Sequence, residues 1–337
     1  MIYKNISLKN YNTFGLDYKA STLIKIKTEE DAISVLERKS TKEPLLILGG
    51  GSNILFTADF DGTIIHSGIG GIRIEEKTPD YVIVSAGSGI NWDDFVEWSV
   101  SNGAGGIENL SLISGLTGAS PIQNIGAYGV EVKDVIEKVR AVSIDDCSIR
   151  EFSNRECQFG YRNSIFKQEY KGKFLVTRVF FRLRTNPEYR LNYGSLNAEI
   201  SKLGEVSLRN VRQAVINIRR SKLPDPQVTG NAGSFFKNPV IKSTYAEILK
   251  EKYPRMPFYP ETAGKTKIAA GWLIEQCEWK GRKSGAAAVH ENQALVLINT
   301  GNASGKDIYD LSEKIKQSVF EKFNVELDRE VEIVGPI

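Results

Sequence analysis

The strongest periodicity in this chain lies near its end, where Ile308, Leu311, Ile315, Val319 and Phe323 recur every three or four residues. Side chains at that spacing share one face of a helix, so a helix is predicted over residues 304–323, and Ser304 with Asp307 gives it a capping-box-like start. Shorter apolar runs read as strands. Those at 23–27, 45–48 and 63–66 surround a helix at 29–39 and make a small α/β unit. From about Gly68 a second region follows, with strands at 81–86, 139–144 and 174–183 and a helix at 92–101. It closes on a basic helix at 209–221. Pro224 and Pro226 cannot continue that helix, and their stretch is the best domain boundary in the sequence. Beyond it a third unit carries a helix at 267–277 and a strand at 294–299 ahead of the terminal helix. No internal repeat or low-complexity tract interrupts the series.

A chain of 337 residues is long for a single core, which agrees with two or three domains. Lys and Arg number 44 against 41 Asp and Glu, a net charge of +3, so composition gives no sign of a nucleic-acid or membrane surface and any basic site must be local. Residues 1–20 hold no apolar signal core and no run is long enough to span a bilayer, so export is not expected. Cys147, Cys157 and Cys277 are odd in number and widely spaced, which suits reduced, mostly buried thiols and gives neither a disulfide framework nor a zinc site.

Three segments are rich in glycine and small polar residues. GGGSNILF at 49–56 follows the apolar run 45–48, and SLISGLTGASPIQNIGAYG fills 111–129. Neither is a Walker A or a G-x-G-x-x-G fingerprint. Both present backbone N–H groups unencumbered by side chains, which suit a pyrophosphate and the close approach of a flat ring, although glycine loops after strands also serve as plain tight turns. The third segment, SKLPDPQVTGNAGSFFKNP at 221–239, joins a basic helix end to Ser234. That serine is not in a G-x-S-x-G elbow, and the only histidines, His66 and His290, stand in no pairing motif and read as structural. A serine without a base is a poor nucleophile but can hand a proton to a strongly basic carbanion. Read alone, the segment favours a turn serine.

Taken together, GGGSN at 49–53, GASPIQNIGAYG at 118–129, GYRNSIFK at 160–167, LNYGSL at 191–196, the 221–239 segment and the terminal REVEIVG resemble the UDP-N-acetylenolpyruvoylglucosamine reductase family of bacterial cell-wall flavoenzymes. The matches keep the family's order from near residue 13 to residue 335. Tyr193 and YPRMPFYPETAGKTKIAAGWLI at 253–274 resemble the longer form, which carries a substrate-closing tyrosine loop. Ser114 stands where many relatives carry proline, a change to loop rigidity and not to chemistry.

The resemblance implies an α+β protein: a two-lobed FAD-binding fold of the vanillyl-alcohol-oxidase (PCMH) type plus a C-terminal α/β substrate-binding domain. The lobes would be 1–67, with 330–337 returning to it through a strand at 331–334, and 68–221; the substrate domain would be 222–329. The implied reaction is the NADPH-dependent reduction, through FAD, of UDP-N-acetylglucosamine enolpyruvate to UDP-N-acetylmuramate. FAD should be non-covalent, since the two glycine loops contain neither histidine nor cysteine. It would be held by Gly49, Gly50, Gly51, Ser52 and Asn53 in the first loop, and in the second by Ser114, Gly115, Gly118, Ser120, Gln123 and Asn124 together with Gly126, Ala127 and Tyr128. Hydride addition to the vinyl carbon leaves an enolate conjugated with a carboxylate. Arg162 and Glu330 are implied beside that charge, and Ser234 as the proton donor to its carbon. Tyr193 and Lys222 resemble the residues that hold the diphosphate, and Tyr161, Asn238 and Gln293 complete the substrate site. No metal, nucleic acid or membrane is expected; the protein is expected to be a cytoplasmic monomer.

Without the resemblance, Arg162 reads as a solvated arginine, and Glu330, flanked by Asp328 and Glu332, as one of three acids facing water. Asn238 and Gln293 read as amides capping turns. Two other classes stay open: another non-covalent FAD oxidoreductase of this fold acting on an alcohol or sugar, and a nucleotide-binding module without chemistry. The first would need a base for hydroxyl deprotonation where 221–239 offers an acid and a diphosphate clamp. The second has no need of Arg162, Ser234 and Glu330 together.

Overall fold

The computed structural model describes residues 1–38, 43–261 and 264–337. Lys39, the expected end of the first helix, and Thr262 and Ala263 of the 253–274 stretch lie outside the described residues. Contacts divide the chain into two compact units. The first comprises Met1–Ile6, Ala20–Gly50 and Asp61–Arg220; the second comprises Ser7–Lys19, Gly51–Phe60 and Ser221–Ile337. The lobes expected at 1–67 and 68–221 therefore fall in one unit, except for two segments that join the chain beyond residue 220.

In the first unit, a four-stranded sheet has the order Ile2–Ser7, Lys19–Ile26, Phe60–Ser67, Leu45–Leu48, the last pair being parallel. The helix α1, Glu29–Glu37, starts at Thr28, whose side chain accepts the Asp31 N–H, and buries Ala32 and Leu36 against Ile26 and Ile65. Val142 and Leu175 of a second, five-stranded antiparallel sheet, with Ile144 just past a strand end, enter the same cluster. That sheet runs Ile149–Ser153, Ile136–Ser143, Phe174–Arg184, Tyr81–Gly87, Ile72–Lys77. Arg140 adds a fork onto the Glu29 carboxylate, Nε to Oε2 at 3.0 Å and Nη2 to Oε1 at 2.8 Å. Shared core and shared ion pair are why the two sheets form one unit.

The helix α2, Trp92–Ser101, is capped by Asn91 and packs Trp92, Phe95 and Val96 on the second sheet, with the Phe95 and Phe181 ring centroids 4.7 Å apart. α3, Leu196–Leu203, and α4, Leu208–Lys222, make a satellite cluster in which Val211, Ala214, Val215 and Ile218 repeat at helical spacing toward Leu196 and Ile200.

The second unit is built on a sheet of order Asn231–Ser234, Val296–Asn299, Ala287–Val289, Lys283–Ser284. Its other helices are α5, Ser243–Lys252, α6, Ala270–Gln276, and α7, Gly305–Phe323. α7 has the anticipated capping box, with Asp307 N–H on Ser304 Oγ at 3.1 Å and Ser304 N–H on Asp307 Oδ2 at 2.8 Å. All five residues of its predicted stripe are buried, each contributing about 1.5–3 kcal/mol of transfer free energy. The expected helix over 267–277 is in part a strand: Lys265–Ile268 pairs on both edges with Val240–Lys242 and Phe258–Pro260, and the helix begins at Ala270. Thr266 and Ile268 are buried at period two, which the following alanines mask in the sequence. Glu332–Val334 pairs in parallel with Ile54–Phe56.

Burial pushes the Cys157 thiol up to about 12. No group of three or more metal-ligating side chains occurs among the described residues, and no helix there is long and apolar enough to cross a membrane.

Candidate active site

In the first unit the strand Leu45–Leu48 delivers the chain to Gly49 and Gly50, which lie against the second glycine loop. A Cβ on Gly50 would stand 3.0 Å from the Gly115 α-carbon, and one on Gly118 would stand 2.4 Å from the Ser88 Cβ. Gly118 leaves no room for a side chain against Ser88, and at Gly50 a side chain would press on the Gly115 main chain. Gly49, Gly50, Gly115 and Gly118 remain half-buried and Ser114 is exposed, so solvent reaches a surface made of backbone with few side chains over it. Such a surface fits a flat ring and a pyrophosphate.

Other residues of the second loop are committed to the protein. The Ser120 hydroxyl donates to the Thr117 carbonyl at 2.7 Å, and Gln123 Oε1 accepts from Lys167 Nζ at 3.2 Å. Asn124 is fully buried and its amide spans two elements, donating to Gly160 O at 2.9 Å and Glu131 Oε2 at 3.1 Å and accepting the Lys133 N–H at 3.0 Å. Gly160 begins the turn that carries Arg162. Gly160 and Asn163 exchange backbone hydrogen bonds of 3.0 and 3.1 Å, leaving Tyr161 and Arg162 at the tip. Arg162 has φ +51°, in the left-handed region, and its Nη2 donates to Gly126 O at 2.9 Å. Its guanidinium also lies 6.0 Å from the Tyr161 ring centroid. Asn124 and Gly126, expected at the cofactor, thus hold Arg162 in place.

Tyr128 meets Tyr193 edge-on, with centroids 5.9 Å apart. An open cleft of about 420 Å³ is lined by Tyr128, Gly129 and residues 188–193. Burial raises the Tyr128 phenol pKa, opposed by the Arg219 guanidinium bonded to it. Arg219 was not singled out in the sequence; one signal was available, a basic residue beside the buried stripe of α4. Tyr193 is exposed ahead of α3, and Lys222 is exposed at the C-terminal end of α4, where a cation suits the helix dipole.

The second unit brings Ser234 and Glu330 onto neighbouring backbone. Asn231 pairs with Ile298 but Ser234 with Val296, so one extra residue is accommodated, at Gly233 with φ +66°. Asn231 Oδ1 accepts the Gly233 N–H at 2.9 Å and shapes this bulge. A bulge re-aims the next side chain, here Ser234. The Phe235 carbonyl accepts the Glu330 N–H at 2.8 Å, and Phe235 itself is fully buried. Asp328 and Glu332 are exposed while Glu330 is half-buried, which separates the three acids. Asn53 brackets Glu330: its Nδ2 donates to Glu330 O at 3.1 Å and its carbonyl accepts the Glu332 N–H at 3.0 Å. In the same unit Asn238 Oδ1 accepts the first N–H of α6, from Ala270, at 2.9 Å, and Gln293 Oε1 accepts the Leu295 N–H at 3.3 Å. His66 Nδ1 lies 3.1 Å from the Leu48 carbonyl, His290 Nδ1 accepts the Asn292 N–H at 3.3 Å, and burial lowers both imidazole pKa values.

The chain is similar to known proteins over nearly its whole length. The family described as UDP-N-acetylenolpyruvoylglucosamine reductase, C-terminal domain, matches residues 225–334, and an FAD binding domain matches residues 20–153. The UDP-N-acetylenolpyruvoylglucosamine reductase of Flavobacterium johnsoniae is 45% identical over 336 residues, 99% of each chain. That of Neisseria gonorrhoeae is 47% identical over 327 residues, 96% of this chain and 94% of its own. The crystal structure of the enzyme from Thermus caldophilus superposes with a TM-score of 0.69 at 22% identity over 99% of each chain, a likeness of fold. The fold is α+β, with an FAD binding domain and a C-terminal domain of the reductase type.

Proposed function

We propose, for a chain that belongs to the UDP-N-acetylenolpyruvoylglucosamine reductase family, that Ser234, Arg162 and Glu330 divide the protein's part of the chemistry. The activity is the NADPH-dependent reduction of UDP-N-acetylglucosamine enolpyruvate to UDP-N-acetylmuramate in peptidoglycan precursor synthesis. FAD, when bound, supplies the hydride carrier between the two substrates. The main chain of Gly49, Gly50, Gly115 and Gly118, with Ser52 and Ser114, would hold it. FAD should co-purify, and acid denaturation should release all of it; flavin left on the precipitate, or none bound, would overturn the loop assignment.

The observation that carries the reading is the bulge at Gly233, which spends backbone regularity on the direction of one hydroxyl without a basic partner in the motif. Ser234 donates its proton to the substrate carbon next to the carboxylate. Arg162, fixed by Gly126 O and by the turn that Asn124 supports, offers its fork to the developing dianion. Glu330 shares a hydrogen bond with the same group, and Asn53 fixes its backbone. Tyr193 and Lys222 hold the diphosphate, with Tyr161, Asn238 and Gln293 completing the substrate site. Lys222→Ala should raise KM for the sugar nucleotide about 10- to 100-fold, the equivalent of one charged hydrogen bond, with flavin reduction by NADPH affected less. A normal KM would remove Lys222 from the site. A cytoplasmic monomer taking both substrates from solution completes the reading.

A further inference from the structure

Asp93 and Arg212 lie outside every role assigned above, yet they meet at the entrance of the 111–129 loop. Asp93 is in the first turn of α2 and Arg212 in the first half of α4. Nη1 and Nη2 of Arg212 donate to Oδ1 and Oδ2 of Asp93 at 2.6 and 3.0 Å, and the side chains are only 12% and 24% exposed. The same Oδ1 accepts the Leu112 N–H at 2.5 Å, while the Leu112 carbonyl accepts from Arg219 Nε at 3.2 Å. Leu112 has φ +59°, a conformation costly to any residue that carries a branched side chain.

The surrounding backbone is pinned on both sides of this residue. Ser111 is fully buried and its hydroxyl donates to Glu108 O at 2.6 Å; Trp92 N–H donates to Gly115 O at 3.0 Å, and Thr117 N–H to Ile90 O at 2.8 Å. An ion pair between two helices would not need the Leu112 amide. Burial by itself would raise the Asp93 pKa, but the Arg212 fork and the Leu112 N–H outweigh it and hold the carboxyl below its usual range, so the clamp stays charged.

We propose that Asp93 and Arg212 are the positioning pair of the flavin loop, holding Leu112 in its left-handed conformation and so presetting the backbone of Ile113, Ser114 and Gly115. The proposal rests on the reading of 111–129 as a flavin loop. Strain of this kind persists where the surroundings over-determine it and the resulting geometry is used.

The test compares Asp93→Ala, Asp93→Asn and Leu112→Gly, singly and combined, by amide hydrogen exchange of the apoprotein, by the FAD dissociation constant from quenching of flavin fluorescence, and by melting temperature. Asp93→Ala should speed exchange at amides 112–116 and weaken FAD binding about tenfold or more, a charged hydrogen bond being lost. Asp93→Asn, which keeps an acceptor for Leu112 but loses the fork to Arg212, should fall between. Leu112→Gly in the Asp93→Ala background should restore most of the FAD affinity, because glycine takes φ +59° without a side-chain penalty. A lowered melting temperature with no change in exchange at 112–116 and no rescue by Leu112→Gly would overturn the proposal and leave an ordinary helix-to-helix ion pair. Faster exchange with unchanged FAD affinity would instead overturn the flavin reading of the loop while the clamp on Leu112 stands.

Discussion

Ser234→Ala is expected to separate the two halves of the reaction. With NADPH added anaerobically, the visible absorbance of the bound flavin should bleach at a near-normal rate, because no substrate carbon is protonated in that half. Reoxidation by the enolpyruvyl substrate should be nearly lost. A positioned acid contributes on the order of 10²–10⁴-fold, and here it must also quench a basic carbanion, so the defect belongs at the upper end. Ser234→Cys should recover part of it, since a thiol can donate a proton from nearly the same place, whereas alanine leaves only water. The bulge sharpens the expectation. Asn231 and Gly233 are untouched by either change, so the backbone keeps its shape and the loss reports the hydroxyl. Stopped-flow traces decide: equal slowing of both halves, or unimpaired reoxidation, makes Ser234 a structural loop residue.

The elements most legible in the sequence were those with the clearest apolar pattern. α2 and the strand Leu45–Leu48 have the predicted limits, and α7 needs only Ser304 reassigned from first residue to cap. The strand Ile2–Ser7 escaped because none of it is buried, and the helices α3 and α5 because they bury only two side chains each and lack the side-chain cap that Thr28 gives α1. Without a buried face there is no periodicity to read. The site followed the same logic. Glycine-rich loops announced themselves, but not which glycines are needed against protein: Gly50 against Gly115 and Gly118 against Ser88 are close approaches between residues far apart in the chain. Asn53 and Asn124 look like ligand amides in sequence; their partners, Glu330 and Gly160, lie 277 and 36 residues away. Left-handed conformations at Leu112 and Arg162 are invisible as well, since the residue types argue against them.

Arg162 yields the second large effect, and its conformation makes the test two-sided. If its guanidinium meets the charge that develops on the substrate, Arg162→Ala removes a preorganised donor and should lower turnover about 10²–10³-fold, confined to the substrate half. Arg162→Lys keeps a cation but not the planar fork, so it should recover KM more than turnover. Stability should move the other way. At φ +51° an L side chain carries a backbone penalty of roughly 1–2 kcal/mol that glycine does not. Arg162→Gly should therefore melt above Arg162→Ala while being equally inactive, because the turn held by the Gly160 and Asn163 backbone bonds no longer has to accommodate a Cβ. A glycine variant less stable than the alanine one would show that the turn carries no such strain. An alanine variant with near-normal turnover would show that the strain serves only the hydrogen bond to Gly126, and Arg162 would leave the catalytic site.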